Sequence, residues 1–127
     1  MGPLKDIKVI EFSGIGPGPY CGMLLADMGA EVIRVSKKGT EGLENKFDIH
    51  NRSKRSITAD LKNASTVTEI LKLIDQVDVV IEGFRPGVME KLGLGPDICI
   101  ERNPKLVYGR MTGWGQNGPM SNLAGHD

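Results

Sequence analysis

The sequence predicts an α/β fold, a Rossmann-like open, mostly parallel sheet flanked by helices. Two observations predict it. Short apolar runs of strand length alternate with segments whose apolar residues recur at helical spacing. A strand, a helix and a second strand also follow one another in about thirty residues, the size of a βαβ unit with a right-handed crossover and parallel strands.

The elements follow in order. Ile7, Val9, Ile10 and Phe12 form an apolar run that stops at Ser13-Gly14, the first strand. From Pro17, the residues Cys21, Leu24, Leu25 and Met28 repeat at i, i+3, i+4, i+7 and Gly29 follows, which predicts a helix with one apolar stripe and a C-terminal stop. Val32, Ile33 and Val35 make the second strand. Residues 36–56 show no sustained apolar period and read as a long surface loop. Order returns with Ile57 to Leu61, followed by a helix carrying Val67, Ile70, Leu71 and Ile74, with Thr66-x-x-Glu69 as its capping box. Val77, Val79, Val80 and Ile81 form a β-branched strand. Pro86 and Pro96 each fit the first turn of a short helix, and Pro104 closes the second. Leu106, Val107 and Tyr108 start a last strand, and residues 113–127 form a loop with four glycines and one proline.

Composition bounds the function. The chain has 127 residues, with 16 Lys and Arg balancing 16 Asp and Glu. A neutral chain lacks the basic surplus of a general nucleic-acid binder or anionic-membrane binder. With 39% hydrophobic and 25% charged residues it is a globular chain of one-domain length, able to bury roughly two-thirds of its unfolded surface. Cys21 and Cys99 belong to no metal or redox spacing, which predicts free, buried thiols in a reducing compartment. No apolar run approaches the ~20 residues of a membrane span, and the N-terminus carries no secretory or transit pattern, so a cytoplasmic location is expected.

Three features could carry chemistry. Gly14-Ile15-Gly16-Pro17-Gly18-Pro19 sits where a dinucleotide fingerprint would, but Pro19 takes the place of the third glycine. Pro17 and Pro19 also remove two amide donors, which favours a tight strand-to-helix turn over a pyrophosphate cradle. Eight basic residues between Arg34 and Lys62 (Arg34, Lys37, Lys38, Lys46, Arg52, Lys54, Arg55 and Lys62) face only Glu41, Glu44, Asp48 and Asp60, so this window is net +4. It reads either as a solvated face or, at strand ends, as a site for a phosphate-bearing molecule. His126, beside Asp127 in the Gly-rich loop, is either structural or a general base working near neutrality. His50 lies in the long polar loop with no partner in view. No Gly-x-Ser-x-Gly elbow and no metal-ligand cluster is present in the sequence.

Taken together, the motifs resemble the family III CoA-transferases (CaiB/BaiF), and within them the α-methylacyl-CoA racemases. The matching stretches are Val9-Ile10-Glu11-Phe12 with Gly16-Pro17-Gly18-Pro19, residues 25–35 (LADMGAEVIRV), and Asn51-Arg52-Ser53-Lys54-Arg55-Ser56 with Asp60-Leu61-Lys62. They continue through residues 79–88 (VVIEGFRPGV), Leu92-Gly93-Leu94-Gly95, residues 103–108, residues 113–119 (GWGQNGP) and Ala124-Gly125-His126-Asp127.

The resemblance implies a coenzyme A-binding α/β portion spanning residues 1–127, the N-terminal part of a chain about three times longer that forms an interlocked homodimer. It implies a 1,1-proton transfer that interconverts (R)- and (S)-2-methylacyl-CoA through a thioester enolate, with His126 as one acid/base group. The second, an aspartate in the racemases, lies beyond Asp127. Lys37 and Arg55 match positions at the nucleotide phosphates, and Arg52 is a further coenzyme A-binding residue. Ala59, Asp60, Leu61 and Lys62 match a segment lining adenosine and pantetheine. Arg85 matches the arginine of the FRPG turn, either as a ligand or as a structural anchor, and Gly125 and Asp127 flank the thioester. Lys37 often stands as arginine in racemases, and a point charge in place of a fork weakens bidentate phosphate contact. No cofactor is implied, because coenzyme A is part of the substrate. The alternatives are a family III transferase moving coenzyme A between an acyl-CoA and a carboxylate, or an acyl-CoA binder without turnover.

Overall fold

The structure is a computed structural model that describes residues 2–12, 14–40, 45 and 47–125. Five strands, β1 (Lys8–Phe12), β2 (Glu31–Lys37), β3 (Lys54–Ala59), β4 (Val79–Glu82) and β5 (Val107–Arg110), form one sheet in the order β3-β2-β1-β4-β5. Every neighbouring pair is parallel, so the expected mostly parallel sheet is wholly parallel among the described residues. The chain moves outward from β1 to β2 and β3, then crosses back to β4, which makes the β1–β4 junction the point where strand order reverses.

Alternation along the strands assigns two faces. Ile10, Phe12, Val35 and Val80 pack under α2 (Ala64–Ile74), α3 (Val88–Lys91) and α4 (Pro96–Arg102), where Ile70, Ile74, Met89, Leu94 and Cys99 complete the larger core. Val9, Val32 and Ile81 face the other way and meet Ala26 of α1 (Pro17–Asp27). A parallel sheet covered on both faces explains the near-continuous apolar runs of β1 and β4.

Helix α1 buries the stripe that its spacing predicts only in part, with Leu25 packed part-buried against the core. Its buried residues are Gly18, Pro19, Gly22, Met23 and Ala26, while Leu24 and Met28 are exposed and Cys21 is only part-buried. The reason lies underneath. Glu11 of β1 is fully buried, and its Oε2 accepts a 2.6 Å bond from Lys54 Nζ, which also donates to the Pro19 carbonyl at 2.9 Å. A Cβ on Gly22 would stand 1.8 Å from Glu11 Oε2, so only a helix face of small residues passes over this ion pair. Arg34, Ser36 and Ser56 extend the polar strip on the same side of the sheet, with Arg34 Nη2 3.5 Å from Ser56 Oγ.

Three helix starts also differ from expectation or refine it. The N-cap of α2 is Asn63, whose Oδ1 accepts from Ser65 N at 2.9 Å and Thr66 N at 3.4 Å, so Thr66 lies inside the helix and no Thr66–Glu69 capping box forms. Asn63 won because its short amide reaches both orphan donors directly. Asn63→Ala is expected to cost about 1 kcal/mol, read as a shift of the urea midpoint. Pro86 precedes the left-handed Gly87 N-cap of α3 and so stands outside the helix, whereas Pro96 does open α4. The long loop is also shorter than expected: β2 continues through Lys37 and β3 begins at Lys54.

Candidate active site

A cleft of about 500 Å³ opens at the carboxyl edge of the sheet, over the β1–β4 junction. Its walls are the β1–α1 turn (Gly14, Ile15, Pro17), the segment after β4 (Gly83 to Pro86), the segment after β5 (Met111 to Gly113) and the terminal loop (Ser121, Leu123, Ala124, Gly125). Open α/β sheets bind ligands at this kind of crevice, because the loops on either side of the reversal diverge.

The wall after β4 is braced from within. Glu82, buried at the end of β4, accepts Phe84 N–H at 2.8 Å through Oε2 and Arg110 Nε at 2.8 Å through Oε1. Arg110 then forks onto both oxygens of Glu90 on α3, at 2.6 and 3.0 Å, and this hydrogen bonding holds the Glu90 carboxyl below its usual range. Tyr108 O–H donates to the Leu94 carbonyl at 2.7 Å, and burial pushes its pKa up, which keeps it a neutral donor. Cys99, buried against the same helices, is pushed up to about 11 by desolvation, so it is a packed thiol and not a nucleophile.

The sites expected from sequence separate along the strands. Lys37 ends β2 and Ala59 ends β3, paired in register, and Asp60, Leu61 and Lys62 follow directly. All stand on the cleft's edge of the sheet, one and two strands from β1, roughly 5 and 10 Å away by strand spacing. Asp60 Oδ1 accepts the Lys62 backbone N–H at 3.1 Å, which fixes that turn. Arg85 and Gly125 line the cleft itself, and Arg85 donates to the Asn122 carbonyl, an anchor for the terminal loop.

Arg52 and Arg55 are not brought to that edge. In a parallel sheet the first residues of β3 lie at the amino edge, and Arg55 stands four residues before Ala59, about 13 Å along the strand. Arg55 pairs with Glu31 at 3.0 Å, and Arg52 forks onto Asp27 at the end of α1, lowering the Asp27 pKa by hydrogen bonding. With Lys54 on Glu11, three cations of the basic window are thus spent on acids outside it. Among the described residues, Lys37, Lys38 and Lys62 are the exposed cations of that window at the carboxyl edge. His126, Asp127 and Lys46 lie outside the described residues. His50 sits edge-on to Tyr20, with ring centroids 6.2 Å apart, beside α1 and away from the cleft walls. Sequence reading missed Ile15, Phe84, Thr112 and Leu123 as wall residues. Their signal is position, each falling just past a strand end or in the glycine-rich terminal loop.

The family model described as CoA-transferase family III matches residues 4–127. The chain belongs to that family. It is 49% identical over 124 residues to the α-methylacyl-CoA racemase of Mus musculus, covering 98% of this chain and 32% of that protein. It is 43% identical over 138 residues to the probable fatty acyl-CoA transferase Rv3272 of Mycobacterium tuberculosis, covering 98% and 35%. A crystal structure of Rv3272 superposes with a TM-score of 0.90 at 42% identity, over 98% of this chain and 37% of that one. This member of CoA-transferase family III therefore spans about a third of the length of the curated relatives it matches.

Proposed function

We propose that the chain is the coenzyme A-binding portion of an α-methylacyl-CoA racemase, and that the parent protein interconverts (R)- and (S)-2-methylacyl-CoA by 1,1-proton transfer. The observation that carries this reading is the course of the terminal loop. Residues 121–125 fold back as a wall of the cleft, so the chain leaves Gly125 at the crevice and continues into His126. The 49% identity to a racemase over nearly the whole chain supports the same branch.

In this reading the ligand lies along the carboxyl edge. Its phosphates sit near Lys37 and Lys62 and its thioester in the cleft, where backbone amides of the glycine-containing walls can stabilise an enolate oxyanion. A second carboxylate, supplied by the rest of the parent chain or its dimer partner, acts on the opposite face. Transfer of coenzyme A to a free carboxylate is the second reading, favoured by the 43% identity to a named transferase. Incubating the full-length protein with one enantiomer of a 2-methylacyl-CoA in deuterated water decides between them. Label at the α-carbon with loss of optical purity supports the racemase. Thioester exchange onto an added carboxylate without α-label overturns it.

The phosphate placement has its own test. Calorimetric titration with coenzyme A should give tighter binding than with the form lacking the 3′-phosphate, and the difference should shrink with salt. Lys37→Ala should weaken binding, whereas Arg55→Ala should leave it unchanged, because Arg55 is held by Glu31 at the far edge. Equal affinities for the two ligands would remove the phosphate assignment.

A further inference from the structure

Two backbone segments cross at the cleft with almost no space between them. A Cβ on Gly113 would stand 2.6 Å from Gly125 Cα, and a Cβ on Gly125 would stand 2.5 Å from Gly113 Cα. Backbone atoms cannot rotate away, so this crossing admits glycine at both positions. It is closed by a side chain: Trp114 Nε1–H donates to the Ala124 carbonyl at 3.1 Å. The segment carrying Gly113 and Trp114 is itself tied to the sheet, since Met111 N–H extends the β5 ladder onto the Glu82 carbonyl at 2.8 Å. Thr112 Oγ1 accepts Gly115 N–H at 3.0 Å and completes the turn.

We propose that Gly113 and Trp114 are positioning residues, which clasp Ala124–Gly125 to the end of β5 and so set where the chain delivers His126. This rests on the racemase reading, in which His126 moves the α-proton. Among the described residues, the other side-chain bond that ties the terminal loop to the sheet side is that of Arg85 to the Asn122 carbonyl, three residues upstream of Gly125. The loop's internal bonds, Ser121 N–H to Gly118 O at 3.2 Å and Leu123 N–H to Met120 O at 2.9 Å, shape it but do not attach it. Trp114 is not one of the cleft's wall residues, so its indole ties the loop that leads into His126 to a rigid sheet element from outside the cleft.

The test uses the full-length protein with Gly113→Ala and Trp114→Phe, the second variant removing the indole N–H donor while keeping an aromatic ring. Peptide-level hydrogen exchange over residues 116–125 reads the clasp, and α-deuterium exchange reads the chemistry. Both variants should take up deuterium faster in that segment. The turnover rate should fall roughly tenfold or more for Gly113→Ala and about threefold for Trp114→Phe, and in Trp114→Phe, which leaves the cleft wall untouched, KM and coenzyme A affinity should stay within about twofold. Unchanged uptake in Trp114→Phe, or faster uptake with unchanged turnover, overturns the proposal, as does a parallel loss of coenzyme A affinity in Trp114→Phe. A wild type that shows no α-exchange counts against the racemase reading alone, and the deuterium uptake then decides whether the clasp exists.

Discussion

In the full-length protein, His126→Ala is expected to abolish deuterium wash-in from one enantiomer of a 2-methylacyl-CoA while leaving coenzyme A affinity nearly unchanged. General acid–base catalysis contributes roughly 10²- to 10⁴-fold, and an imidazole with an unperturbed pKa near ~6.5 both accepts and returns a proton at neutral pH. On the racemase reading binding should survive, because the imidazole is assigned to the α-proton and the phosphates to Lys37 and Lys62, which stand one or two strands away from the cleft. Wash-in from the opposite enantiomer begins with the base on the other face and should persist more strongly. That asymmetry distinguishes a two-base mechanism from a general collapse of the site. Undiminished exchange from both enantiomers in His126→Ala would remove this residue from the chemistry.

The second large effect lies outside the cleft. Lys54→Met should destabilise the protein by roughly 3–5 kcal/mol, because it leaves Glu11 buried beneath α1 without its cation. Glu11 already has a raised pKa, chiefly from burial and against the lowering effect of Lys54. Its Oε1 accepts no hydrogen bond among the described residues. Removing Lys54 raises that pKa further. The folded state then holds a proton that the unfolded chain has released, so stability falls as pH rises between the unfolded and folded pKa values. The loss should accordingly be greater at about pH 8 than at about pH 5, read by chemical denaturation. A second change, Glu11→Leu, should recover most of it, since an apolar pair of similar volume needs no desolvation. Equal losses at both pH values, or no recovery in the double variant, would contradict the buried-pair account.

This ion pair shows where reading the chain falls short. Glu11 stands in an apolar run and Lys54 among seven other cations, and nothing in one dimension joins residues 43 positions apart. The same blindness shifted the face of α1: Leu24 and Met28 belong to a regular apolar stripe and are exposed, because a helix crossing a buried charge must present Gly18, Gly22 and Ala26. The basic window was legible as a charge excess. Its division between the two edges of the sheet was not, because that depends on which end of a parallel strand each residue occupies.

By itself, then, the sequence determined the fold class, the order of strands and helices, the family and the glycine-rich loop that ends at the candidate base, since each is written in local period, turn chemistry or motif. Only the tertiary structure decided that the cleft lies over the β1–β4 junction, that Arg52 and Arg55 are held by Asp27 and Glu31 at the far edge, and that Gly113 meets Gly125. These are contacts between distant segments. They are set by strand order and register, which local period leaves open and the packing of both sheet faces settles.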